Sequence, residues 1–196
     1  MTWAVISAQL GVFFARLPFS PDVYTWSTLP TAFLGLVAIA RHHIPAGVVL
    51  FAAAGILDVI DGALARTLEK TTYAGAFLDG SLDRFVDFFV IFSYFWLPMS
   101  VPWLPLGHWI CITYFFAIMP SFEVAYANHR KAVDDPDEKL IWRILNRGEM
   151  YVLMLLIPIV SLHNPLWAGY LLVSLVALSA ITTLQTLYLT LRLSTK

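Results

Sequence analysis

Long apolar stretches alternate with short polar or proline-rich breaks along this chain. The breaks include the proline-rich run LPMSVPWLPLG at 97–107 and the dense charge run HRKAVDDPDEK at 129–139. Proline cannot continue the interior of a helix, and most of the apolar stretches approach the roughly 20 residues that a helix needs to cross a bilayer. The pattern therefore predicts a single-domain, all-α integral membrane fold over residues 1–196, with six spans at about 23–40, 46–65, 75–97, 106–127, 149–162 and 166–191.

The N-terminal stretch, residues 2–17, is apolar but shorter than the roughly 20 residues of a spanning helix. Arg16 and Pro18 end it. We predict an amphipathic helix that lies in the membrane interface. A first spanning helix is the alternative.

Composition supports a membrane protein. Hydrophobic residues make up 59% of the chain and charged residues only 13%, whereas about a quarter of the residues in a soluble domain are charged. A formal net charge of -1 argues against nucleic acid as the main partner. The single cysteine, Cys111, excludes an internal disulfide.

Basic residues set the orientation of the six spans. If the N-terminus is cytoplasmic, the outer segments carry only Arg41, and Arg84 falls within a span. This asymmetry predicts that both termini are cytoplasmic in a multi-pass protein of the cell membrane. The cytoplasmic segments then carry Arg16, Arg66, Lys70, Arg130, Lys131, Lys139, Arg143, Arg147, Arg192 and Lys196.

Four aspartates lie near the cytoplasmic ends of the second and third spans: Asp58, Asp61, Asp79 and Asp83. Spacings of three and four residues place each pair on one helix face, and two antiparallel helices can aim the pairs at each other. Clustered carboxylates repel unless cations bind between them, and hard oxygen ligands select Mg²⁺, Mn²⁺ or Ca²⁺. A site with two such ions suits phosphoryl transfer, because it stabilises both the attacking and the leaving oxygen.

The residues between the aspartates suit a phosphate ligand. Gly62, Gly75 and Gly80 carry no side chain where a ligand must approach the backbone, and Ala65 adds only a methyl group beside them. Arg66 can bind a phosphate through two parallel hydrogen bonds.

These positions carry a resemblance to a known family. Asp58-x-x-Asp61-Gly62-x-x-Ala65-Arg66, eight further residues, and then Gly75-x-x-x-Asp79-x-x-x-Asp83 match the signature of the CDP-alcohol phosphatidyltransferases, which synthesise phospholipids in membranes. The segment SPDVYT at 20–25 resembles the family's S-P-N-x-x-T, with Asp22 in place of asparagine. The six spans and the interfacial helix are also similar to that family.

The resemblance implies a reaction and a role for each motif residue. A CDP-linked lipid, such as CDP-diacylglycerol or CDP-archaeol, would transfer its phosphatidyl-type group to a small alcohol and release CMP, with two Mg²⁺ or Mn²⁺ ions bound. Asp83 would act as the base that deprotonates the alcohol. The resemblance implies metal binding by Asp58, Asp61, Asp79 and Asp83, binding of CDP and its diphosphate by Asp58, Gly62, Ala65, Arg66 and Gly75, and a homodimer.

The third span carries a second charged pair. Arg84 and Asp87 are three residues apart, and we predict that they form an ion pair, because charges within a membrane survive by pairing. The segment LDGSLDRFVD also resembles the phosphatidylinositol-phosphate synthase branch of the family.

The aspartate motif does not determine the acceptor alcohol. Arg147, Arg130, Lys131 and Glu123 are the candidate acceptor-binding residues, and the Arg147-x-Glu149 pattern resembles that branch. Val124 and Tyr126 stand where the branch carries a basic pair. The resemblance of LDGSLDRFVD and the presence of Arg147 favour inositol phosphate or another phosphorylated polyol, with serine, glycerol phosphate or an amino alcohol as alternatives.

Two other classes of protein use acidic groups in membranes. A prenyltransferase binds a lipid diphosphate through aspartate-rich motifs, but it usually has two distant motifs and more helices. A divalent-cation carrier would place its acids along a pathway at mid-membrane, and it would not need Arg66 or the glycines.

Overall fold

The computed structural model describes residues 12–15, 20–132 and 144–194, and within them all regular structure is helical. A 3₁₀ turn, Ser93–Trp96, follows the third of six main helices. The all-α prediction is therefore confirmed for the described residues, and each predicted span falls on one of the helices. These are α1 (Pro21–Ala40), α2 (Ile44–Thr67), α3 (Tyr73–Phe92), α4 (Leu106–His129), α5 (Arg147–His163) and α6 (Pro165–Leu193).

Side-chain caps define where three of the helices begin. The Thr72 hydroxyl accepts a hydrogen bond of 2.9 Å from the amide of Gly75 at the start of α3. Asn146 and Glu149 form a reciprocal capping box at the start of α5. The Asn164 side chain accepts bonds of 3.1 Å from two backbone amides at the start of α6. These caps satisfy amides that the helices themselves leave without acceptors.

A tight turn ends α2 and leads into α3. Glu69 has a φ of 53°, in the left-handed region, and the amide of Lys70 donates to the carbonyl of Ala65 at 3.0 Å. This is the bond pattern of a Schellman motif, which usually places glycine at the left-handed position. The turn lets α3 begin at Tyr73, only a few residues after the end of α2 at Thr67.

The chain divides into two compact units, Met1–Trp96 and Leu97–Lys196. In the first unit, α1 packs along both α2 and α3, whereas α2 and α3 make few contacts with each other. A β-carbon on Gly47 would lie 2.8 Å from the carbonyl oxygen of Gly35. The two glycines therefore allow α1 and α2 to approach closely, as small residues do between membrane helices.

In the second unit, α6 packs against α4 and α5. The amide of Ser100 donates to the carbonyl of Pro165 at 3.0 Å. A β-carbon on Gly169 would clash with the carbonyl of Ser100, so this position in α6 needs a glycine. Met154, Ile157 and Leu172 are fully buried in this unit.

Within the part of the chain that the structure describes, four helices are long and apolar enough to cross a membrane: α1, α2, α4 and α6. Large apolar side chains such as Val49, Leu184 and Trp167 are more than half exposed, which suits contact with lipid. Crossing by α3 and α5, the orientation of the termini and the single domain stay predictions. The interfacial helix falls largely outside the described residues, although residues 12–14 are helical and Phe14 packs on Tyr24 with ring centres 5.8 Å apart.

Candidate active site

Three of the four motif aspartates come together between α2 and α3. Carboxylate oxygens of Asp58, Asp61 and Asp79 all lie within 4.8 Å of one another. Asp58 and Asp61 are one turn apart on α2, and Asp79 lies in the first half of α3. The expected convergence of the two helices is confirmed for these three side chains.

The donor set of this cluster fits a hard divalent cation. Asp61 is only 4% exposed, and its Oδ2 atom has no hydrogen-bond partner among the described residues. A buried carboxylate oxygen without a partner is costly, and the carboxylates of Asp58 and Asp79 add repulsion. A bound cation would remove both costs, and carboxylate oxygens are the ligands that Mg²⁺ and Mn²⁺ favour.

A cavity of about 200 Å³ opens beside this cluster in the N-terminal unit. It lies where α2 and α3 make few contacts with each other. Six residues that the sequence assigns to metal or CDP binding line it: Asp61, Gly62, Ala65, Arg66, Gly75 and Asp79. The structure therefore gathers most of the proposed donor-binding residues around one cavity.

Arg66 and Gly62 form one feature of the cavity wall. A β-carbon on Gly62 would lie 3.3 Å from Nη1 of Arg66, so the guanidinium lies directly over the glycine. Gly75 has a different setting, because a β-carbon there would lie 3.1 Å from Oγ1 of its own capping residue, Thr72. Gly80 faces open space and is not among the cavity-lining residues.

Seven other described residues line the cavity without having been assigned a role from sequence. The N-terminal end of α1 supplies three of them, and Thr25 there is buried, with its hydroxyl donating to the carbonyl of Pro21 at 3.2 Å. The resemblance of SPDVYT at 20–25 to a family segment is the signal in the sequence that could have identified α1 as part of the cavity wall. The turn between α2 and α3 and the first turn of α3 supply the rest of a set that comprises Pro21, Asp22, Thr25, Lys70, Thr71, Thr72 and Ala76.

Asp83 lies one turn beyond Asp79 on α3 and is not part of the three-carboxylate cluster. Its Oδ2 lies 3.8 Å from Nη2 of Arg84. The same Nη2 atom lies 3.4 Å from Oδ2 of Asp87, so the predicted pair of Arg84 and Asp87 is confirmed.

The candidate acceptor-binding residues all belong to the C-terminal unit. Arg130 and Lys131 are exposed at the end of α4, and Arg147 is the first residue of α5. Glu123 lies within α4, where its Oε2 is buried. Glu149 already serves the capping box, which gives its side chain a structural role.

Comparison with known proteins places this geometry in a family. The family model described as CDP-alcohol phosphatidyltransferase matches residues 19–189 of the chain. The chain is 30% identical over 183 residues to the archaetidylinositol phosphate synthase of Pyrococcus horikoshii, in a match that covers 92% of this chain and 88% of that protein. These matches favour the phosphatidyltransferase over the prenyltransferase and the cation carrier.

Solved structures have a similar fold. One is the crystal structure of the phosphatidylinositol phosphate synthase of Mycobacterium tuberculosis with CDP-DAG bound, at a TM-score of 0.74 and 23% identity, covering 94% of this chain and 93% of that one. Another, of the same enzyme with manganese and citrate, has a TM-score of 0.75 and 22% identity, covering 94% and 88%. At these sequence identities, the similarity shows a shared fold only.

Proposed function

The chain belongs to the CDP-alcohol phosphatidyltransferase family, and from this membership we propose that it transfers a phosphatidyl-type group from a CDP-linked lipid to a phosphorylated polyol. The observation that carries the proposal is the cluster of Asp58, Asp61 and Asp79 beside a cavity that Arg66 and Gly62 also line. Such a cavity combines ligands for cations with a guanidinium for a diphosphate.

In this proposal the motif residues divide the work of binding the donor. Asp58, Asp61 and Asp79, with Asp83, would hold two divalent cations, Mg²⁺ or Mn²⁺. When bound, these ions would offset the charge of the diphosphate and stabilise the negative charge that develops during transfer. Arg66 donates hydrogen bonds to the diphosphate. The cytidine and the diphosphate are framed by Asp58, Gly62, Ala65, Arg66 and Gly75.

Asp83 acts as the base in the transfer step. It accepts the proton of the acceptor hydroxyl while that oxygen forms a bond to the phosphorus that carries the lipid. The bond from this phosphorus to the bridging oxygen breaks, and the electron pair leaves with CMP. The products are the new phospholipid and CMP, and the proton remains on Asp83 until solvent removes it.

For the acceptor we propose inositol phosphate. Support comes from the name of the relative in Pyrococcus horikoshii, which is 30% identical over 183 residues. Arg147, Arg130 and Lys131 would bind the acceptor phosphate, and Glu123 would contact a neighbouring cation or hydroxyl.

The active site would face the cytoplasm of a multi-pass membrane protein. The enzyme would work as a homodimer, and light scattering in detergent tests this oligomeric state.

Release of CMP tests the proposal directly. Purified protein with Mn²⁺ and either CDP-diacylglycerol or CDP-archaeol would be incubated separately with inositol phosphate, inositol, glycerol phosphate and serine. We expect metal-dependent release of CMP with inositol phosphate and none in Asp83→Asn, which keeps the shape of the side chain but cannot accept the proton. Release with serine alone would overturn the acceptor assignment, and no release with any acceptor would overturn the proposed function.

A further inference from the structure

The proposed reaction gives no role to the ion pair of Arg84 with Asp87. The Asp87 side chain is fully buried, with 0% exposure, and its Oδ2 lies 3.4 Å from Nη2 of Arg84. Burying a carboxylate is expensive unless a cation accompanies it. Asp87 therefore fixes the guanidinium at one place on α3.

The fixed guanidinium also reaches Asp83. Adjacent residues of a helix point about 100° apart, so Arg84 contacts Asp83 only because its side chain extends toward the face that Asp83 shares with Asp87. The distance from Nη2 to Oδ2 of Asp83 is 3.8 Å, which is an ion pair but too long for a hydrogen bond. Such a contact attracts the carboxylate of Asp83 toward one position on α3.

We propose that Arg84 is a positioning residue that holds the carboxylate of Asp83 in place, with Asp87 as the anchor of Arg84. The inference rests on the proposed function, in which Asp83 is the base and a metal ligand. Without Arg84, Asp83 and Asp87 would be two carboxylates one turn apart on the same face, and they would repel each other. The competing interpretation is that Arg84 only neutralises Asp87, so that the pair affects folding alone.

A double variant separates these interpretations. Arg84→Gln with Asp87→Asn removes one positive and one negative charge, so the local net charge does not change and no charge is left buried alone. We expect a kcat at least about tenfold lower, as for a displaced catalytic group, with the KM for the CDP-linked lipid within about twofold of wild type. Arg41→Gln, which removes an exposed charge at the end of α1, is the matched control and should leave both constants unchanged.

A second readout does not depend on turnover. Mn²⁺ affinity of the purified protein, measured by electron paramagnetic resonance, should fall several-fold in the double variant. The reason is that the carboxylate of Asp83, no longer held in one position, is a poorer ligand. Arg84→Lys should recover part of both kcat and Mn²⁺ affinity, since it keeps the charge but loses the planar fork. If the pair has only a structural role, its loss should lower the thermal midpoint and change neither kcat nor Mn²⁺ affinity. A folded double variant with the kcat and the Mn²⁺ affinity of the wild type would therefore overturn the proposal. If the wild type releases no CMP, the proposed function fails, and the Mn²⁺ measurement alone decides whether Arg84 positions Asp83.

Discussion

The guanidinium of Arg66 lies over Gly62, where the absence of a side chain leaves room for it. A β-carbon at position 62 would come within 3.3 Å of Nη1, which is closer than most carbon contacts but involves the flexible end of a side chain. Gly62→Ala should therefore displace the guanidinium with little loss of stability. We expect a KM for the CDP-linked lipid about three- to tenfold higher, which corresponds to about 1 kcal/mol of donor binding.

Gly80→Ala provides the contrast, because a β-carbon there would meet none of the described residues within 4 Å. Sequence alone assigns the same purpose to both glycines, since both belong to the aspartate-rich segment. Steady-state kinetics of the two variants would decide between these views. Equal KM values for both variants would show that the contact of Arg66 with position 62 has no influence on donor binding.

Asp61 allows a test of cation binding that needs no substrate. Its carboxylate is 4% exposed and lies with Asp58 and Asp79. Asp61→Asn removes one of three like charges, so the metal-free variant should be at least as stable as the wild type. Mn²⁺ at about 100 times its dissociation constant should stabilise the wild type by about 2.7 kcal/mol. Thermal unfolding with and without Mn²⁺ should show this increase in the wild type and little or none in the variant.

If Mn²⁺ raises the stability of Asp61→Asn as much as it raises that of the wild type, Asp61 is not a metal ligand. Asp22→Asn is a useful comparison, because Asp22 lines the same cavity but is not part of the three-carboxylate cluster. Its Mn²⁺-dependent increase should match that of the wild type.

The residue patterns predicted the aspartate cluster more completely than they predicted the cavity wall. Spacings of three and four residues determine which side chains share a helix face, and this was enough to bring Asp58 and Asp61 toward Asp79. The wall that Asp22 and Thr25 supply depends on which face of α1 meets α2 and α3. The polar residues of α1, which include Asp22, Thr25 and Thr28, are spread around the helix, so its sequence has no single polar face to indicate that orientation.

Helix ends are where an element contributes directly to the cavity. The first turn of α3 carries Gly75 and Ala76, which line the cavity, and the Thr72 hydroxyl caps that turn through the amide of Gly75. Thr72→Ala should cost about 1 kcal/mol of stability, as is typical for the loss of an N-cap. Fraying of this turn should also raise the KM for the CDP-linked lipid, as steady-state kinetics would record.

Asn164→Ala is the matched control for this cap. Asn164 caps α6 in the C-terminal unit by accepting bonds from the amides of Leu166 and Trp167, each at 3.1 Å. Asn164→Ala should lower the thermal midpoint about as much as Thr72→Ala does, without changing the KM for the CDP-linked lipid. If both variants shift the KM equally, the effect of Thr72 comes from general destabilisation.

Boundaries of the elements followed from sequence to within a few residues, except where local backbone geometry decides them. The third predicted span continued to residue 97, but α3 ends at Phe92 and the chain continues as the 3₁₀ turn Ser93–Trp96. The run FFVIFSYFWL has only the small polar Ser93 at that point and no proline, glycine or charge, so hydropathy alone cannot locate the change. The left-handed Glu69 that ends α2 was equally hidden, because that position is usually glycine.

For the whole molecule, the number of membrane crossings has a direct experimental consequence. Six crossings, with both termini cytoplasmic, place position 103 outside and position 128 inside. If only α1, α2, α4 and α6 cross, the two positions exchange sides, because α4 then begins on the cytoplasmic face. Single-cysteine variants Trp103→Cys and Asn128→Cys, made in a Cys111→Ser background, report on this difference, and both side chains are exposed.

The ten basic residues that face the cytoplasm in the six-span arrangement favour six crossings. We therefore expect a membrane-impermeant maleimide to label Trp103→Cys in intact cells and Asn128→Cys only after permeabilisation. Arg41→Cys, between α1 and α2, lies outside in both arrangements and serves as the control for labelling from outside. Labelling of Asn128→Cys but not of Trp103→Cys in intact cells would establish four crossings. In that arrangement α3 would begin and end on the cytoplasmic face, and the aspartates that it carries would not lie within a membrane-crossing helix.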